Sequence, residues 1–542
     1  MFGLDRLILR SNLFGTDILP ESVEISKLSI WLRTASATEP LEKLDTTIRT
    51  ADALSPDDQR HYDVVVSNPP WGADLPDTLT PEALRERFPY AGQEQDTYAL
   101  FMIRSWELLK PGGILSFIVP NSWLTVHGYE PFRRWMLGAF NVLEIVNVWK
   151  IFPDVNNDDC IVIARKRGSD DEVRPDTSVA CLTRGTTEDS KCQQLAEERW
   201  ERSFSASSAE WLKEPEARFE TMYEPTLAKE LGKLAKRARS LDTLFDVTVG
   251  IQVYHHRKVP KSLIAAKAFH STHRKGADWY PYIDANEVQR YFQVPATNAF
   301  LLYSDRLCDK RELDHYARPR VLVQQIFWNR LSASYSEPDG PVLYLNTLFS
   351  CSEAKTELTL QGLTAILNSR FISAAYERWA NRLFGDKFPK VSKADLARLP
   401  IPQVGRPEAK ALHSLGVTLS NEWQQLKTAV SDFFFLLDVK DAGGSLRKDL
   451  VRFWELDKRD VGQAVSKSMP GVSSKSLGEI VAAWSAATKD VNRTWGQISV
   501  AERSVDDTLR AAYKIKDAVY VDLTSRGKGA DLADVLLPKE RR

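Results

Sequence analysis

At 542 residues, with 43% hydrophobic and 27% charged positions, the chain is long enough for two or three packed domains and too well mixed for a disordered polymer. No apolar run approaches the ~18 residues that cross a bilayer, and the start MFGLDRLILRSNLFG lacks a secretory leader's apolar stretch and small-residue cleavage site. The net charge of −1 taken alone argues against a nucleic-acid partner, but residues 241–400 hold 21 Lys and Arg against 16 Asp and Glu, so a positive excess is concentrated in one stretch.

In chain order, residues 1–167 alternate short apolar runs with amphipathic segments: NLFGTDI, a helix-like VEISKLSIWLRTA, YDVVVSNPP, a helix from Tyr98 to Leu109, and ILSFIVP. That is the βαβ rhythm of an α/β, doubly wound, Rossmann-like sheet. Lys110-Pro111-Gly112-Gly113 interrupts the helix before ILSFIVP, and NVLEIVNVW and DCIVIARK read as two more strands. Residues 168–239 are polar and broken by glycines and Pro175, which suggests a connector with one short strand. Residues 240–402 form a mixed α/β region, and the amphipathic segments of 403–542 predict a helical C-terminal region. Five cysteines at irregular spacing, Cys160, Cys181, Cys192, Cys308 and Cys351, make no disulfide framework, so a reducing, cytoplasmic compartment is expected.

The sharpest chemical signal is Asn68-Pro69-Pro70-Trp71, directly after the strand-like Tyr62–Ser67, where open α/β sheets bind ligands. Two prolines restrict the backbone and offer no competing N–H, so the Asn68 side-chain oxygen and the Pro69 carbonyl can both accept from one planar amine. Held this way, the amine turns its lone pair towards an electrophile, and Trp71 offers a face on which a planar base stacks. The loop thus suits alkylation of an aromatic amine.

With NLFGTDILPESVEISKLSIWL, IRTADAL, DVVVSNPPWG, DTYALFMIRSWELLKPGGILSFIVPNSWL and KIFPDVNNDDCIVIARK in order, the chain resembles the gamma-class N6-adenine DNA methyltransferases, including the methyltransferase halves of type IIG restriction-modification enzymes. The resemblance implies S-adenosylmethionine as cofactor and double-stranded DNA as partner. It makes Asp17 the acceptor from the cofactor ribose, and Asp52, with Ala53 beside it, the acceptor from the cofactor adenine. Phe101 becomes the aromatic beside the cofactor, and Phe152 the ring that packs on the flipped base opposite Trp71. Residues 240–402 resemble the family's specificity domain, in which Gln324, Gln325 and Asn329 would read base edges while Arg320, Arg330, Lys387 and Lys390 neutralise phosphates.

The chain departs from the family in one respect. Only sixteen residues precede Asp17, and they hold Gly3 and Gly15 but no glycine-rich loop, so the first strand of the sheet is expected to be missing. This suggests a fragment, or one half of a split protein whose N-terminal partner polypeptide supplies that strand. No nuclease pattern stands out, and His255-His256 with His270 and His273 lack the spacing of a metal site. Two other readings stay open: a non-catalytic DNA-binding specificity fragment, and a methyltransferase for protein glutamine or RNA guanine. Restriction-modification and phage exclusion fit the sequence equally.

Overall fold

The computed structural model describes residues 4–35, 41–72, 81–91, 96–152, 157–168, 174–183, 186–255, 258–293, 298–327, 330–379, 390–436, 450, 452–469, 471–517 and 519–521. The chain divides into two compact units, Met1–Pro225 and Thr226–Arg542.

The first unit begins with helix α1 (Leu4–Ser11), strand β1 (Gly15–Asp17), helix α2 (Pro20–Thr34) and strand β2 (Ile48–Thr50). Pro20 opens α2 where a missing N–H costs nothing, and β1 pairs with β2 in parallel, Asp17 opposite Thr50. Strand β3 (Tyr62–Ser67), helices α3 (Pro81–Arg87) and α4 (Thr97–Leu108), and strand β4 (Leu109–Pro120) follow. Helix α5 (Glu130–Ala139) leads into β5 (Phe140–Trp149) and β6 (Asp159–Lys166), an antiparallel pair.

The expected connector is corrected by the structure. Its residues supply β7 (Asp176–Cys181), which pairs in parallel with β5, helix α6 (Glu188–Ala196) and β8 (Arg202–Ser207). Six strands form one mixed sheet in the order β3-β4-β6-β5-β7-β8. DTSVAC and RSFSAS carry too few large apolar residues to announce themselves as strands; their neighbours in the sheet decide. The doubly wound expectation holds for β3 and β4, which are parallel with Ser67 opposite Phe117. Strand β3 lies on the sheet edge among the described strands, with Val64 54% and Val66 72% exposed. β1 and β2 form a separate two-stranded sheet. Among the described residues, no strand pairs with the outer edge of β3.

Arg133 on α5 locks the core beyond β4. Fully buried, it donates from Nη1 to the Trp123 and Val126 carbonyls at 2.8 and 2.7 Å, and from Nε and Nη2 to the Glu216 carbonyl at 3.1 and 3.0 Å. Burial lowers its pKa to about 10, still well above neutrality. Replacing Arg133 by Met strips donors from three carbonyls, and is expected to cost about 2 kcal/mol and lower the melting midpoint by about 5 °C, measurable by calorimetry.

The second unit carries an antiparallel four-stranded sheet made of β9 (Asp246–Val249), β10 (Arg320–Gln324), β11 (Ala333–Ser336) and β12 (Leu348–Ser352), ordered β9-β12-β10-β11. A second four-stranded sheet includes Trp279–Ile283 and Phe300–Leu302. Helices α7 (Leu360–Asn368) and α8 (Arg370–Trp379) come next. The expected helical region follows as α9 (Arg406–Leu436), α10 (Lys458–Ser468) and α11 (Ser474–Tyr513). Trp423 on α9 meets Trp495 on α11 edge to face, ring centroids 5.8 Å apart.

Candidate methyl-transfer site

The Asn68–Trp71 loop leaves the carboxyl end of β3 and is fastened to the start of α4. The Asp96 carboxylate, at the helix N-cap, accepts the Gly72 N–H at 2.9 Å, and the Thr97 hydroxyl donates to the Pro70 carbonyl at 2.7 Å. Gly72 sits at φ +58°, a left-handed turn that a side chain would disfavour. With both ends fixed, Pro69 is buried while Asn68 stays exposed, its amide accessible to a ligand. Asp96 and Thr97 were not singled out in the sequence; an Asp-Thr pair before an apolar helix signals a cap, but not a bond to a loop 24 residues away.

Trp71 and Phe152 come together as the resemblance implies, in an edge contact at 5.4 Å between centroids and 64° between planes. A base sandwiched between parallel rings needs them about 7 Å apart, so entry of a base would rotate this pair.

Phe152 follows a turn held from below. Trp149 adopts φ +55°, its indole N–H donates to the Leu182 carbonyl at 2.7 Å, and the Lys191 ammonium donates to the Lys150 carbonyl at 2.7 Å. The fully buried Asp159 pairs with Trp149 on one side and Pro120 on the other. Burial pushes its pKa up to about 7, despite a backbone hydrogen bond from Ile151 and the nearby Lys191 charge, both of which favour the carboxylate.

Asp17 ends β1 and Asp52 lies two residues past its parallel neighbour β2, and the Ala51 N–H donates to the Asp17 carbonyl at 3.0 Å. Each uses one side-chain oxygen to accept a local N–H, from Leu19 at 2.8 Å and Leu54 at 2.9 Å. Both residues are exposed, and their second oxygens make no hydrogen bond among the described residues. Two such acceptors fit a ribose diol and an exocyclic amine, the polar groups of an adenosine cofactor. Ala53 is half-buried beside Asp52, and Phe101 is half-buried one turn into α4.

The structure separates the expected DNA contacts of the second unit. Arg320 is buried; its guanidinium donates to the Tyr316, Arg318 and Val342 carbonyls and lies over the Tyr344 ring at 5.4 Å. Gln324 donates its amide to the Ala285 and Val288 carbonyls. Arg330 is buried against Glu502. These three side chains are committed inside the fold, which corrects their assignment to phosphates and base edges: residue type announced a hydrogen-bonding group but not its direction. Gln325 is half-buried, and exposed Lys390 lies beside it through a bridge with Ile326. Asn329 and Lys387 lie outside the described residues.

Residues 11–152 match the Eco57I restriction-modification methylase family model, and residues 280–401 match the TaqI-like C-terminal specificity domain. A Methanocaldococcus jannaschii protein described as a type II restriction enzyme and methyltransferase is 24% identical over 351 residues, covering 63% of this chain and 27% of that protein. The type II methyltransferase M.VspI of a Vibrio species is 26% identical over 199 residues, covering 37% of this chain and 46% of its own length. The chain thus spans less than half the length of these relatives. Among solved structures, a DrdV–DNA complex aligns over 91% of this chain and 64% of its own, at 10% identity and a TM-score of 0.46.

Proposed function

We propose, for a chain that joins an Eco57I-type restriction-modification methylase region to a TaqI-like specificity domain, that it methylates adenine N6 within a specific duplex DNA site, in restriction-modification or phage defence. The observation that carries the proposal is the exposed Asn68 on a loop pinned at Pro70 and Gly72, with Trp71 and Phe152 in contact beside it.

S-adenosylmethionine supplies an electrophilic methyl group when bound, with Asp17 and Asp52 holding its ribose and adenine and Phe101 beside them. Asn68 and the Pro69 carbonyl accept the two N6 hydrogens, which directs the nitrogen lone pair at the methyl carbon. The amine needs no prior deprotonation, and its proton leaves to water after transfer. Positioning is worth most here, and stacking on Trp71 and Phe152 offsets the few kcal/mol that flipping a base costs. In the specificity region, Gln325, Asn329, Lys387 and Lys390 remain our proposed DNA contacts.

The reading includes a strand supplied by a partner polypeptide along the open edge of β3. YDVVVS has three successive valines and, of its charges, only Asp63, which Lys110 pairs at 2.9 Å; strands made for an edge carry charges or prolines that discourage pairing. Of the eighteen large hydrophobic side chains exposed among the described residues, twelve lie between Leu4 and Val66. Such a surface associates with itself. Sedimentation velocity of the purified chain should therefore show concentration-dependent association that disappears in Val64→Lys/Val66→Lys; an unchanged profile would clear the β3 edge as its cause.

The proposal is tested by calorimetric titration with S-adenosylmethionine followed by tritiated methyl transfer to duplex DNA. Transfer that depends on Asn68 supports it. DNA retention without cofactor binding, for the chain together with its completing polypeptide, would instead establish a recognition module without catalysis.

A further inference from the structure

The helical region beyond Ile401 matches neither family model, yet it holds residue 330 just before β11. Arg330, 6% exposed, faces Glu502 of α11, 5% exposed, with both guanidinium nitrogens at 3.3 Å from the two carboxylate oxygens. Arg330 also donates to the Asn368 carbonyl. Asn368 in turn accepts the Ala333 N–H at 3.0 Å and donates to the Ala333 carbonyl at 2.7 Å, while the Leu331 N–H donates to the Ser373 hydroxyl at 3.2 Å. One turn along α11, Asp506 accepts the Phe371 N–H at 3.3 Å and the Tyr520 hydroxyl at 3.1 Å. On the β10 side, the Gln325 N–H donates to the Thr347 carbonyl at 2.9 Å, and the Val391 N–H donates to the Gln325 carbonyl at 2.6 Å.

We infer that Glu502 is a positioning residue for DNA-site recognition: through Arg330, α11 sets the place of residues 330–333, and the Ser332 carbonyl, which accepts the Gln324 N–H at 2.9 Å, passes that register to Gln325. The inference rests on the proposal that residues 280–401 read DNA. A pair buried only for stability would be a poor choice, because two ions taken from water regain little over apolar residues of equal size. What an ion pair does supply is a single geometry. The two arms fix the rotation of Arg330, and the Asn368 and Ser373 contacts then fix residues 331 and 333. Apolar residues in the same space would fill it without specifying that register.

The experiment uses the full chain with Glu502→Gln, and with Arg330→Met/Glu502→Met, which keeps volume and removes both charges. Hydrogen exchange is followed across residues 325–336, and binding sites are selected from a pool of random 20-base-pair duplexes and sequenced. The expected result is at least ten-fold faster exchange in that segment beyond any increase elsewhere in the chain, and a selected motif that loses preference at one or two positions, in the double variant as well as in Glu502→Gln; both melt lower than the parent, because Arg370 and the buried Arg290 lose their counter-ion. Unchanged exchange would overturn the inference, and so would faster exchange with an unchanged motif. If the parent chain itself selects no motif, DNA reading by this domain fails, and the role given to Glu502 falls with it; parent selection therefore separates the two failures.

Discussion

Replacing Asn68 by Ala is expected to lower methyl transfer to duplex DNA by ~10²–10³-fold while leaving S-adenosylmethionine affinity within a factor of about two. The side chain is exposed beyond the end of β3, whereas of the residues proposed to hold the cofactor Asp17 ends β1 and Asp52 lies two residues past β2. Removing its oxygen takes one of two acceptors from the amine and lets it rotate, so the lone pair is no longer aimed. The loop itself should persist, because its fastenings are the Pro70 carbonyl and the Gly72 N–H rather than the Asn68 amide. A tritium-transfer assay beside a cofactor titration reads both quantities; equal losses in the two would mean that Asn68 supports the fold rather than the reaction.

The second large effect is on stability against pH. Asp159 is fully buried between β4 and β5, and burial pushes its pKa from an ordinary 3.8 to about 7. The folded state therefore holds this proton more tightly than the unfolded chain does. Its stabilising contribution is complete below about pH 4 and is lost as pH rises through about 7, a difference of about 4 kcal/mol for this group alone. Asp159→Asn keeps the shape and removes the titration. The variant should thus unfold at a higher denaturant concentration than the parent at pH 8, and the gap should close towards pH 5. Urea titrations at the two values measure it, and a parent insensitive to the substitution at pH 8 would show that the carboxylate is compensated. Because Asp159 lies under the turn that presents Phe152, the same ionisation is expected to loosen that ring above pH 7.

The two effects differ in how far they were legible. Asn68 could be read from the chain because its chemistry is local: two prolines and a tryptophan after a valine run specify both a backbone path and a strand end. Asp17 and Asp52 were singled out only through the family resemblance; what the structure adds is that their two segments are neighbours, with Asp17 opposite Thr50. Asp159 offered no such signal. As the first residue of DCIVIARK it could be placed at a strand start, where a carboxylate is ordinarily solvated, and only the strands on either side exclude water from it.

Composition and spacing alone thus determined the α/β class, the order of a strand-and-helix region, a mixed region and a helical one, and the position of the Asn-Pro-Pro-Trp loop past a strand end. Tertiary structure alone decided which polar side chains face inwards. Arg320, Gln324 and Arg330 spend their donors on carbonyls and on Glu502, 172 residues away from Arg330. It also drew β7 and β8 into the sheet from a stretch whose serines and threonines hid them. The physical reason is common to both: backbone dihedrals and hydrophobic period are written locally, whereas burial depends on what distant segments bring to the other side.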